Sequence, residues 1–207
     1  RVTKRKRGDI DVPYELNITY FDMLKGTFDG KDEHQIDRFI ASQTIMMSIE
    51  GIPAFYVQSL FGAKNDLKKL NQTGHNRAIN RHQWNLQELK SRLNDSKSTE
   101  SYIFNELKRR INIRKLQRAF HPDATQFTLQ LSSELFGFWR QSLCRKQSLF
   151  VVTNLTRSRK KLELVELNLF QNTEWCELLT NQVILNTKKP IYLAPYQTIW
   201  ITNRKSS

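Results

Sequence analysis

Residues 51–82 read GIPAFYVQSLFGAKNDLKKLNQTGHNRAINRH, and they constrain the fold more than any other stretch. Gly51 is free to take the left-handed conformation that ends a helix, and Pro53 has no N–H with which to continue one. The apolar run 52–57 that follows is short enough to be a buried strand. Beyond it, the polar sequence from Gln58 to His82 is too long for a simple connector, and long ordered loops after strands are where binding residues gather. Upstream, Ile36, Phe39, Ile40 and Met47 recur at the spacing of one helix face, with Met46 and Met47 read as core. Downstream, Ser98-Thr99-Glu100 has the chemistry of a helix start. Ile103, Phe104, Leu107, Ile111 and Leu116 then hold one face until Phe120-His121-Pro122 stops it. Helix, buried strand, long loop, helix is part of a β/α unit.

After Pro122 the period changes. Phe127, Leu129 and Leu131 alternate with polar residues, Ser132-Ser133 marks a turn, and 135–140 pairs back as a hairpin. The continuous apolar run 149–152 suits a central strand. Shorter strand patterns occupy 162–165, 175–179, 191–193 and 198–202, with Pro190 and Pro195 confining their neighbours to edges or turns. Trp139, Trp175 and Trp200 lie within these patterns and read as core. The expected organisation is therefore a β/α domain over 1–121 and a small antiparallel β domain over 122–207. Before the first helix, 1–11 reads as a loop turning at Gly8-Asp9, followed by a short helix in the aromatic segment that ends near Leu24. Residues 26–32 form a second polar break.

The 33 Lys and Arg against 20 Asp and Glu leave a net charge of +13 in 207 residues. Two clusters stand out, Arg1, Lys4, Arg5, Lys6 and Arg7, then Arg157, Arg159, Lys160 and Lys161. Without a nucleic-acid-binding motif they read as solvated surface, so neither nucleic acid nor membrane is an expected partner. No apolar run reaches membrane-spanning length. Cys144 and Cys176 are far apart and lack CxxC spacing, which excludes a disulfide framework and a zinc site. Both are expected to be buried thiols in a reducing compartment. No nucleophile signature, P-loop, Rossmann glycine pattern or metal-ligand spacing is present. His121, before a proline, reads as a turn histidine. Arg77 stands between asparagines in the long loop, and two roles fit it: a planar fork of donors for vicinal hydroxyls or a carboxylate, or a brace for loop carbonyls.

Six motifs, in this order, carry a resemblance: Pro13-Tyr14-Glu15-Leu16-Asn17, Arg38-Phe39-Ile40-Ala41-Ser42-Gln43, Gly51-Ile52-Pro53-Ala54-Phe55-Tyr56, Asn65-Asp66, Arg77-Ala78-Ile79-Asn80-Arg81 and Ala119-Phe120-His121-Pro122. Together they resemble the C-terminal portion of the sucrose phosphorylase and glucosylglycerate phosphorylase subfamily of glycoside hydrolase family 13, in the α-amylase superfamily. The resemblance implies an α/β fold class, the last part of a (β/α)8 TIM barrel followed by a small antiparallel β domain. In it 52–57 would be the eighth barrel strand and 58–82 a substrate-facing loop at its C-terminal end.

It also implies a retaining glucosyl transfer from an α-glucoside to inorganic phosphate as co-substrate, giving α-glucose 1-phosphate without metal or other cofactor. Arg77 matches the arginine that binds glucosyl hydroxyls, and the segment of Tyr14, Glu15 and Asn17 matches the acceptor loop. Asn65 and Asp66 join them as expected substrate-binding residues. The catalytic carboxylates belong to earlier barrel strands, so no residue of this chain is expected to be catalytic. The chain, starting at Arg1 without methionine, is expected to be a fragment of a cytoplasmic enzyme that is homodimeric when complete. Pro-Tyr-Glu in place of Leu-Tyr-Gln resembles members acting on glucosylglycerate or phosphorylated sucrose. The competing readings are a non-catalytic carbohydrate-binding module resting on the three tryptophans, and an α-glucosidase- or amylase-type hydrolase fragment.

Overall fold

The computed structural model describes residues 2–169 and 173–203; Arg1, of the first basic cluster, lies outside them. The N-terminal stretch is not a loop but an antiparallel ribbon, β1 (Val2–Arg7) paired with β2 (Ile10–Leu16). Gly8 makes the tight reversal with φ +65°, a value open to glycine at no steric cost. The ribbon escapes sequence patterning because nearly all of its residues are exposed, so neither face demands apolar alternation. Thr19 caps α1 (Tyr20–Met23), and the break at 26–32 folds as the small ribbon β3 (Gly26–Thr27) and β4 (Gly30–Lys31).

Helix α2 (Gln35–Ser48) follows as expected, burying Phe39, Ile40 and Met47, and Gly51 ends that stretch at φ +93°. The expected buried strand at 52–57 is corrected. No ladder includes 52–56, and Ile52 is 83% exposed. An apolar run becomes a central strand only where neighbouring strands supply donors and acceptors. The expected loop after it is also corrected, to α3 (Val57–Leu60), α4 (Leu67–Thr73) and a 3-10 turn at Asn76–Asn80. Asp66 caps α4 by accepting from the Lys69 N–H at 2.8 Å, and Gly74 closes it in the left-handed conformation. Helix α5 (Leu86–Asn94), unforeseen because it buries no residue, is started by the Asn85 side chain, which accepts from Gln87 and Glu88. Helix α6 (Thr99–Lys115) begins where expected, with the Ser98 hydroxyl accepting from the Ser101 N–H.

The C-terminal sheet has six antiparallel strands. They are β5 (Thr125–Thr128), β6 (Leu135–Gln141), β7 (Ser148–Asn154), β9 (Trp175–Glu177), β10 (Gln182–Ile184) and β12 (Thr198–Asn203), in the order β10-β9-β12-β7-β6-β5. A separate ribbon joins β8 (Lys160–Leu162) to β11 (Ile191–Leu193). In the central pair, Phe150 and Val152 of β7 and Ile199 and Ile201 of β12 enter one apolar cluster with Leu162, Leu164 and Trp175. Leu149, Val151 and Trp200 enter another with Ala119, Phe120 and Phe138. Both faces are thus covered, which is why 149–152 is continuously apolar instead of alternating. Trp175 and Trp200 are buried and Trp139 half-buried, in keeping with core packing. Of the two free cysteines Cys176 is buried, whereas Cys144 is exposed, contrary to expectation. It lies in the polar turn between β6 and β7, where the Ser142 hydroxyl brings its thiol down to about 7.

The chain forms two compact units. One joins the residues up to Ile36 with Phe55–Glu106; the other joins Asp37–Ala54 with Leu107 onwards. They interleave along the sequence, whereas the sheet itself begins just after Pro122. Among the described residues no helix is long and apolar enough to cross a membrane.

Candidate functional site

Arg77 sits on the 3-10 turn with its side chain half exposed. Its Nε donates to the Glu15 Oε2 at 2.8 Å, an ion pair between residues 62 apart in sequence. The turn is held from both sides. Asn76 donates through Nδ2 to the Thr3 hydroxyl of β1 at 3.3 Å, and that hydroxyl donates to the Oδ1 of buried Asn17 at 2.5 Å. Arg5 lies 5.2 Å from the centre of the Tyr14 ring, which leaves Tyr14 more than half exposed. The hydrogen bond it donates to Glu15 raises the Arg77 guanidinium further above its already high value, so it is cationic at any working pH.

An open cavity of about 730 Å³ results, lined by Thr3, Tyr14, Glu15, Lys69, Arg77 and Arg81 among others. It brings together three of the six residues expected to bind substrate: Tyr14, Glu15 and Arg77. A polar aromatic, a carboxylate and a guanidinium around one open cavity are the groups that take up hydroxyl-rich ligands. Lys69 and Arg81 leave it with a surplus of positive charge suited to an anion.

The other three expected residues do not line this cavity. Asn17 lies beneath the ribbon. Asn65 is spent on backbone, its Oδ1 accepting from the Thr19 N–H at 2.7 Å while its own N–H donates to Asp22 Oδ2 at 2.9 Å. Asp66 lines a different cavity, with His82, Trp84 and Arg92. Its Oδ1 caps α4 and its Oδ2 is 2.7 Å from His82 Nδ1. The Lys69 N–H bond is the main reason the Asp66 carboxyl is held below the ordinary range. Thr3, Lys69, Asn76 and Arg81 were not anticipated. Lys69 and Thr73 are spaced as neighbours on one face of α4, a helix where the sequence reads as loop; the pairing of Glu15 with Arg77 has no local signal.

No protein-family profile matches the chain. Curated relatives do. The chain is 33% identical over 190 residues to a glucosylglycerate phosphorylase of Escherichia coli (strain K12), covering 91% of this chain and 32% of that protein. It is 32% identical over 202 residues to a glucosylglycerate phosphorylase of Allomeiothermus silvanus, covering 97% of this chain and 33% of that one. A sucrose 6(F)-phosphate phosphorylase of Thermoanaerobacterium thermosaccharolyticum is 27% identical over 58% of this chain and 27% of its own length.

The chain belongs to the glucosylglycerate and sucrose phosphorylase subfamily of glycoside hydrolase family 13.

It spans about a third of the length of the first two relatives. Solved structures agree on the fold of this family 13 chain. A trehalose-6-phosphate hydrolase of Bacillus licheniformis superposes with a TM-score of 0.63 at 16% identity over 93% of this chain and 42% of its own. An α-amylase of Geobacillus thermoleovorans complexed with acarbose gives a TM-score of 0.63 at 15% identity over 83% of this chain and 34% of its own. The fold class is α/β: part of an α-amylase-type barrel followed by an antiparallel β domain.

Proposed function

We propose that this chain is part of a retaining disaccharide phosphorylase that transfers glucose from an α-glucoside to inorganic phosphate, giving α-glucose 1-phosphate. The observation that carries the reading is the Arg77–Glu15 pair beside Tyr14 in an open, positively charged cavity, in a chain homologous to phosphorylases. In this proposal Arg77 donates to glucosyl hydroxyls remote from the anomeric carbon, because a cation beside that carbon would oppose the positive charge developing there. Glu15 aims the guanidinium and Tyr14 borders the acceptor. Asn17, Asn65 and Asp66 hold the frame around them. Glucosylglycerate is the favoured donor, since an acceptor carboxylate suits the surplus charge from Lys69 and Arg81.

The nucleophile and the acid/base carboxyl lie outside this chain in the same reading, and phosphate is the co-substrate without metal or organic cofactor. Residues 1–121 are the barrel portion and 122–207 the β domain. The complete enzyme is cytoplasmic and homodimeric. The carbohydrate-module alternative loses its motivation, since the tryptophans on which it rested are buried or half-buried.

The test uses the complete enzyme that contains this chain, assayed for release of α-glucose 1-phosphate. Arg77→Ala is expected to lower kcat/KM about 10- to 100-fold, the worth of one or two charged hydrogen bonds, with little change in the unfolding midpoint. Normal kinetics would remove Arg77 from the site. Absence of phosphorolysis of glucosylglycerate, sucrose and sucrose 6'-phosphate alike would overturn the function.

A further inference from the structure

The turn that carries Arg77 belongs to a segment whose two ends meet. At one end stands Asp66 and at the other His82, with Asp66 Oδ2 and His82 Nδ1 2.7 Å apart. Asp66 also reaches the middle of the segment, because its N–H donates to the Ile79 carbonyl at 2.8 Å. Four consecutive carbonyls on the outgoing limb each receive a donor. Ile79 is served by the Asp66 N–H, Asn80 by the Tyr56 hydroxyl at 3.1 Å, Arg81 by Lys69 Nζ at 2.8 Å, and His82 by Gln58 Nε2 at 2.6 Å. The His82 ring is fixed as well: Trp84 stands edge-on to it at 4.6 Å between centroids, and the Trp84 Nε1 is tied to Gln58 Oε1 at 2.9 Å. The imidazole therefore presents Nδ1 to the carboxylate and no other atom.

From this geometry we infer that Asp66 and His82 form a clasp that positions Arg77 for sugar binding, with His82 a positioning residue; the inference rests on the reading of Arg77 as a sugar ligand. An arginine half exposed to water has many rotamers, and packing does not select among them. Glu15 aims the guanidinium, and the backbone beneath it sets where that aimed group stands. All four carbonyl bonds join neutral groups or a surface lysine. The Asp66–His82 bond joins an ionised carboxylate, kept charged by the Lys69 N–H, to an oriented ring, and it spans the whole segment. Opening it frees both ends of the frame at once, and holding a binding group in place beforehand is worth affinity without adding any new bond to ligand.

The test separates Nδ1 from Nε2. The amide nitrogen of asparagine occupies roughly the place of Nδ1, whereas that of glutamine occupies roughly the place of Nε2. In the complete enzyme, His82→Ala is expected to lower kcat/KM for the glucosyl donor about 10-fold, carried by KM, the cost of one hydrogen bond to a charged group. His82→Asn should restore most of it and His82→Gln little. The double variant His82→Ala/Arg77→Ala should be no worse than Arg77→Ala, because the first change acts through the second residue. Amide hydrogen exchange over 66–82 should quicken in His82→Ala and return to normal in His82→Asn. Additive losses, equal rescue by asparagine and glutamine, or unchanged exchange would each overturn the clasp. A silent Arg77→Ala would instead overturn the reading of Arg77, whereas a full Arg77 effect with a silent His82→Ala sinks the clasp alone.

Discussion

The sheet of the C-terminal unit and the segment around Arg77 are held by opposite means. In the sheet, β7 and β12 exchange main-chain bonds with each other, and their side chains fill apolar clusters on both faces. Around Arg77, buried apolar groups are few and small, chiefly Leu70, Ala78 and Ile79, and successive carbonyls are satisfied by side chains arriving from elsewhere in the chain. Apolar burial is non-directional and fixes a fold in bulk. Polar bonds are directional, and each one locates a particular atom. The difference teaches where to look for function: the precisely located atoms belong to the segment with the smaller apolar core.

The contrast breaks first if the sheet tolerates loss of one of its largest side chains. Trp200 is fully buried and stands edge-on to Phe120 at 4.9 Å. Trp200→Ala is expected to cost about 3–5 kcal/mol in urea unfolding, from lost transfer energy plus the cavity left behind. A loss below about 1 kcal/mol would show that the sheet is not an apolar scaffold. Arg140 marks the limit of that description. Its guanidinium is buried and desolvated, which lowers its proton affinity, and it donates to the Ser48, His121 and Ala124 carbonyls, a polar rivet alongside other buried polar side chains such as Asn154 and Glu177.

Much of the sheet was legible because burial on two faces leaves an unmistakable apolar run at 149–152, and α2 and α6 because Phe39, Met47, Ile103 and Leu107 repeat on one face. Legibility failed where burial does not select residues. The β1–β2 ribbon is exposed on both faces, α5 buries nothing, and the apolar residues 52–57 had the composition of a strand without a pairing partner. Within the candidate site, the grouping of the residues was not legible in the sequence. Tyr14, Glu15 and Arg77 share a cavity, whereas Asn65 and Asp66, adjacent to each other in a polar motif, do not line it: Asn65 Oδ1 accepts from the Thr19 N–H and Asp66 Oδ1 caps α4. A motif names residues close in sequence; which of them share a cavity is set by the fold.

The polar side of the comparison is sharpened by pH. The folded structure lowers the Asp66 carboxyl below the ordinary aspartate range, chiefly through the Lys69 N–H and next through His82. A depressed folded value means stability that is complete above the unfolded value of about 3.9 and lost as pH falls towards the folded one. Asp66→Asn keeps an oxygen to cap α4 but not the charge. It should therefore unfold about 1 kcal/mol more easily than wild type at neutral pH, the net worth of one hydrogen bond, and the gap should close as the pH falls below about 4. A gap that widens in acid would mean that the carboxylate is a liability in the folded state.

The smallest effect belongs to the most conspicuous surface cluster. Arg92 donates from Nε and Nη2 to Glu88 Oε1, at 3.1 and 2.9 Å, and from Nη1 to Glu100 Oε1 at 3.0 Å, which raises its proton affinity. Three short bonds look decisive. Yet the Arg92 and Glu88 side chains are 46% and 49% exposed, so water competes for each charge and the long arginine loses rotamers to hold its place. Only Glu100, 12% exposed, is left in want of a partner when the arginine goes. Arg92→Ala should cost no more than about 1 kcal/mol, and raising the salt from about 0.05 to about 0.5 M should remove much of that difference, since screening over a few ångströms weakens exposed pairs most. The Asp66–His82 clasp, with side chains 13% and 30% exposed, should keep its effect in the same salt series. Equal salt sensitivity of the two would show that burial does not distinguish the polar frame around Arg77 from ordinary surface charge.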